Sequence, residues 1–109
     1  MADEAQEKIN QLSVLEQNAQ QLLNQKQNLQ VRLMELESAL DELKTSEDVH
    51  KVIGNIMVKS NKSKVSKDLE EEKEKISDKV KNLESQEGKL REKAEKLQGE
   101  VMKGLEKGG

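Results

Sequence analysis

Apolar residues recur along residues 5–45 with the alternating three-and-four spacing of a heptad repeat. With position a at Leu12, Ala19, Lys26, Leu33 and Leu40, position d falls on Leu15, Leu22, Leu29, Leu36 and Leu43. Every d position is leucine and no slip interrupts the register, which predicts a coiled-coil helix. The residues between are mostly polar and rich in Gln and Glu, which are good helix formers, so local propensity agrees with the pattern. Ala5 and Ile9 continue the stripe less regularly toward the N-terminus. Thr45 and Ser46, short polar residues that compete for backbone hydrogen bonds, predict the end of this helix.

A second seven-residue period occupies residues 61–105. Leu69, Ile76, Leu83, Leu90 and Leu97 hold one seam position; Val80, Ala94 and Val101 hold the other, with Lys73 and Glu87 as polar exceptions. Ser60 or Asn61 is expected to cap the helix start. Gly88 and Gly99 each cost roughly 1 kcal/mol against Ala in a helix interior. The half of this arm away from the chain's middle is therefore expected to be looser, and its end, from Gly104 on, to fray.

Residues 49–60 follow neither period. Val49, Val52, Ile53, Ile56, Met57 and Val58, mostly β-branched, crowd around a Gly54-Asn55 pair. Such residues pack well on a pleated surface, and Gly-Asn supplies the positive-φ positions that a two-residue hairpin turn needs. The reading is strand 49–53, turn 54–55, strand 56–60. This reversal brings the arms together antiparallel, each of about 40 residues and roughly 60 Å long. Folding about the middle places Lys26 close to Glu87, one polar exception per seam and of opposite sign. Two readings stand open for them: separately solvated flank residues, or an ion pair that specifies alignment at some expense of stability.

Composition narrows the architecture further. The 109 residues include no aromatic residue and no proline, and 38% are charged. That cannot fill an ordinary globular core, and it matches long helices. The expected fold is mainly α: an antiparallel two-helix coiled coil joined by a β-hairpin, within a single domain over residues 1–109. Residues 1–48 carry 10 acids and 4 bases and residues 49–109 carry 12 acids and 15 bases, so the halves have opposite sign and favour folding back or mixed assembly. The net charge of −3 argues against nucleic acid as the main partner. Cysteine is absent, which rules out disulfides and thiolate sites and fits a reducing cytoplasm. No signal-peptide core and no apolar run near the ~20 residues of a membrane span occurs, so a soluble protein without membrane association is expected.

No catalytic constellation emerges. His50 is the lone histidine, has no fixed Ser or Asp partner, and reads as a strand side chain beside Lys51. The acids Asp68, Glu70, Glu71, Glu72 and Glu74 alternate with Lys67, Lys73 and Lys75 and spread around a helix, as a solvated face does. The basic residues lack aromatic stacking partners for single-stranded nucleic acid. Neither enzyme activity nor any cofactor or metal is expected. At the tips, Met1, Ala2, Ala5, Ile9 and Leu12 meet the level of Val101, Met102 and Leu105. These are either ordinary frayed ends or an adaptable apolar binding surface to which flexible Met is suited. The hairpin has apolar residues on both faces and unpaired edges, and an isolated hairpin is marginal in water. Closing several hairpins into a barrel would bury those faces, predicting an oligomeric β-barrel platform with protruding coils.

The stretch from Val49 through Gly54-Asn55 to Lys59 resembles the hairpin of β-class prefoldin subunits, with His50 where that family usually has an aromatic residue. Residues 64–71 and 83–90 resemble the family's second helix, and the short single hairpin and Gly-Asn turn look most like the archaeal form. The resemblance covers nearly the whole chain. It implies a hetero-hexamer of two α-class and four β-class subunits, an α-class partner and further copies of this chain, built on the hairpin residues Val49, Val52, Ile53, Ile56, Met57 and Val58. It also implies ATP-independent capture of non-native polypeptides at the coil tips and delivery to a cytosolic group II chaperonin. On this sequence the tips map to Ile9, Leu12, Val101, Met102 and Leu105, and less directly to Met1 and Ala5. The competing readings are a structural coiled-coil adaptor docking one folded partner, and a helical-hairpin arm detached from a nucleic-acid enzyme; the net charge counts against the second.

Overall fold

Both heptad stretches are helical in the computed structural model, which describes residues 2–108, with side chains from residue 3 to residue 105. Helix α1 spans Ala2–Thr45, strand β1 Val49–Ile53, strand β2 Ile56–Ser60 and helix α2 Lys62–Gly108. The architecture is the expected one, two long helices joined by a two-stranded antiparallel hairpin. Both helices run further than the seam pattern. Asp3 and Glu4 occupy the first turn of α1, where the helix dipole favours acids. At the other end α2 continues through Gly104, because one glycine among good helix formers weakens a helix without ending it.

The chain divides into two compact units, Asn28–Val80 and Met1–Gln27 with Lys81–Gly109. The first contains every buried hydrophobic side chain among the described residues: Leu36, Leu43, Val49, Ile76 and Val80. Leu36, Ile76 and Val80 form its core, with Leu29, Leu33 and Leu69 packed against them. All but Val49 are seam positions of the two repeats, so the periodic pattern located this core. Leu36 is 1% exposed, and burying such a side chain contributes about 2–3 kcal/mol.

The helix ends in this unit are held by short polar groups. The hydroxyls of Thr45 and Ser46 donate to the Glu42 carbonyl at 3.3 and 2.8 Å, and the Ser46 backbone N–H donates to the same oxygen. These bonds satisfy a carbonyl that would otherwise be orphaned at the end of α1. Lys62 at the start of α2 donates its ammonium to the Lys44 carbonyl at 3.3 Å, placing a cation at the negative end of α1. Of the two cap candidates, Asn61 acts: its Oδ1 accepts from the backbone N–H of Ser63 at 2.8 Å and of Lys64 at 3.4 Å. Arg32 bridges Glu72 across the helices at 2.9 Å and Glu35, one turn along its own helix, at 3.2 Å. Hydrogen bonding to Glu72 first, then to Glu35, raises its pKa further, so Arg32 keeps its charge.

The hairpin registers as Ile53↔Ile56, Val52↔Met57, Lys51↔Val58, His50↔Lys59 and Val49↔Ser60. Its turn departs from expectation in one respect. Gly54 has φ of +59°, but Asn55 does not have positive φ. Positive φ at the first central position alone is the II′ pattern, which asks for Gly there and leaves Asn in ordinary backbone space.

The unit formed by residues 1–27 and 81–109 is a coiled coil without a buried side chain among those described. Its seam residues Leu12, Leu15, Ala19, Leu22, Leu83, Leu90, Ala94, Leu97 and Val101 are all half-buried. Lys26 and Glu87 join the seam as an ion pair of 2.8 Å, with side chains 20% and 19% exposed. Of the two sequence readings, the geometry selects pairing.

Candidate functional site

Two surfaces carry apolar side chains that their own unit does not cover. On the hairpin, Val52, Ile53, Ile56, Met57 and Val58 are exposed, Met57 by 68%. Opposed residues of an antiparallel pair share a face. Val52 and Met57 therefore lie on one face with His50 and Lys59, while Ile53, Ile56 and Val58 lie on the other with Lys51. Val49, grouped with them by sequence, is different: it is buried inside its own unit at the hairpin base. Both strands have one edge without a hydrogen-bonded neighbour, since the sheet has two strands only. A surface of this kind suits strand addition or face-to-face burial.

The second surface lies at the distal end of the coiled coil. Leu12 and Val101 sit half-buried in the seam, whereas Ile9, Met102 and Leu105 are exposed. Ile9 leaves the seam because strict heptad counting puts Lys8 at position d, where it pairs with Glu100 at 3.6 Å. Met1 lies outside the described residues; Ala5 is half-buried. By heptad position Ile9 and Leu105 are both e and Met102 is b, which antiparallel pairing assigns to one flank of the coil.

The opposite flank holds a feature that sequence reasoning missed. A groove of 620 Å³ runs between the helices, lined by Glu7, Gln11, Val14, Leu15, Lys96 and Leu97 among others. Val14 is 54% exposed and forms its open apolar wall. The available signal was an apolar residue at position c, off the seam, beside the seam residue Leu15. Val31 and Met34 are likewise exposed off-seam residues, within the other unit.

These surfaces present apolar side chains and unpaired strand edges, the means for binding polypeptide. Among the described residues no three His, Cys, Asp or Glu side chains converge to hold a metal ion. No helix among them is long and apolar enough to cross a membrane.

Comparison with known proteins decides the family. Residues 6–108 match the family described as prefoldin subunit. The chain belongs to the prefoldin subunit family. It is 38% identical over 81 residues to the prefoldin subunit beta of Archaeoglobus fulgidus, covering 72% of this chain and 70% of that protein. It is 36% identical over 76 residues to the prefoldin subunit beta of Thermococcus onnurineus, covering 67% of this chain and 63% of that one. The crystal structure of the prefoldin beta subunit from Thermococcus strain KS-1 superimposes with a TM-score of 0.88 at 33% identity, over 94% of this chain and 92% of the other. The β-class resemblance carried by the hairpin therefore holds across both helices. Prefoldin membership implies assembly with other prefoldin subunits, and a chaperone role fits the family.

Proposed function

We propose that this prefoldin chain is a non-catalytic, ATP-independent holdase subunit of the cytoplasm, one of four β-class chains joined to two α-class chains. In this reading the hairpins build the platform and the distal coils hold non-native polypeptides for delivery to a group II chaperonin. The observation that carries it is the set of uncovered apolar side chains: besides the hairpin and the off-seam Val31 and Met34, they lie on both flanks of the distal coil, at Ile9, Met102 and Leu105 and at Val14. Each contact is weak, so several coils acting on one client supply avidity, and independent release of each contact permits transfer without nucleotide hydrolysis.

The test is suppression of aggregation of a chemically denatured enzyme by the assembled complex. Replacing Ile9, Val101, Met102 and Leu105 with Ser is expected to abolish protection while native mass stays unchanged. Val14→Ser alone should weaken it. Undiminished protection by the fourfold variant rejects the tip assignment, and a single folded partner bound at fixed stoichiometry would favour an adaptor instead.

A further inference from the structure

His50 shares a hairpin face with Val52, Met57 and Lys59. A two-residue turn closes on the hydrogen-bonded pair Ile53↔Ile56, and hydrogen-bonded and non-hydrogen-bonded pairs alternate from there. His50↔Lys59 is therefore a non-hydrogen-bonded pair, the kind whose side chains approach most closely. The facing charge is Lys59. Lys51 points to the other face, and Glu47 and Asp48 precede the strand. Both acids are exposed, and no ion pair joins either to His50. The hairpin strands pack chiefly on each other.

From this we infer that His50 makes assembly through the hairpin sensitive to pH, association weakening as the imidazole takes up a proton. The inference rests on the hairpin-platform reading. Neutral imidazole is compatible with burial beside Val52 and Met57, but a protonated ring directly across from Lys59 is a like-charge pair that assembly would desolvate. Lys59 can carry its ammonium to the rim on a long stem; the short His50 side chain cannot. Imidazole is also the ordinary side chain that changes charge between pH 5 and 8.

The experiment measures dissociation of the intact complex by native mass and sedimentation from about pH 8 to about pH 5.5, above the usual carboxylate range. The wild-type complex should weaken about tenfold over this range, with circular dichroism unchanged. His50→Phe and His50→Gln should flatten the profile, and Lys59→Gln should reduce its slope. The two His50 variants differ in bulk and polarity, so failure of one to assemble leaves the other as the comparison. Parallel profiles for wild type and variants would overturn the role of His50 alone. A complex whose mass at about pH 8 survives charge substitution of Val52 and Met57 would overturn the switch, and one that also survives it at Ile53, Ile56 and Val58 would overturn the platform reading.

Discussion

The Lys26–Glu87 pair allows the sharpest quantitative test of how the seam is specified. Its atoms lie 2.8 Å apart and its side chains are 20% and 19% exposed, between a surface pair and a buried one. Exposed pairs contribute about 0.2–1 kcal/mol, whereas removing one partner of a buried pair costs about 3–5 kcal/mol. At this intermediate exposure, stranding one charge should cost about 1.5 kcal/mol, and the new leucine returns about 1 kcal/mol of apolar burial. Lys26→Leu and Glu87→Leu should thus each destabilise by about 0.5 kcal/mol. The double variant strands no charge; it loses the pair's own contribution of about 1 kcal/mol and gains about 2 kcal/mol from two leucines, so it should be more stable than wild type by about 1 kcal/mol.

The resulting coupling of about 2 kcal/mol is well outside the ~0.5 kcal/mol within which independent substitutions add. Urea unfolding followed by far-UV circular dichroism on all four proteins measures it. Additive changes would refute the pairing as an energetic unit. The alignment role has its own readout: cysteines placed at Leu22 and Leu90 should crosslink faster in wild type than in the Leu/Leu variant, whose register is free to shift and carry the two thiols apart. Equal crosslinking rates in both would leave the pair no part in setting register.

The glycines should respond in opposite directions. Gly54 has φ of +59°, so Gly54→Ala should destabilise the hairpin by about 1 kcal/mol, read as reduced amide protection in its strands. Gly88 and Gly99 have open space where a Cβ would stand, so converting each to Ala should stabilise by up to about 1 kcal/mol in the same unfolding assay. Leu36→Ala removes the most buried side chain and should cost about 3 kcal/mol; less than about 1 kcal/mol would mean that the Leu36, Ile76 and Val80 core is not a stability centre.

The seam was legible because a coiled coil is close to a one-dimensional object. Once Leu15 to Leu43 are assigned to position d, the same count fixes which residues of each helix turn inward. Even the proximity of Lys26 and Glu87 followed from folding the chain about its turn, though their pairing is decided by the 2.8 Å geometry. Features that depend on the third dimension were not legible. Val14 becomes a groove wall only once Lys96 and Leu97 stand across from it, and one helix's pattern does not say which residues of the other stand there. Likewise, whether Asn55 takes positive φ separates two turn types that accept the same dipeptide. Val49 shares the composition of the other hairpin residues, yet its place at the base buries it while theirs leaves them open.

That contrast bears on how stability and function are divided along the chain. Buried side chains are confined, among the described residues, to the Asn28–Val80 unit, and the distal coil is held by half-buried seam residues and ion pairs. A coil end with little core of its own can expose Ile9, Val14, Met102 and Leu105 without losing a packing arrangement that depends on them. The hairpin is the opposite case: five large apolar residues lie outside any core, on an element that is marginal by itself. Substitutions at the distal residues should therefore separate binding from stability, whereas substitutions on the hairpin should change assembly and stability together.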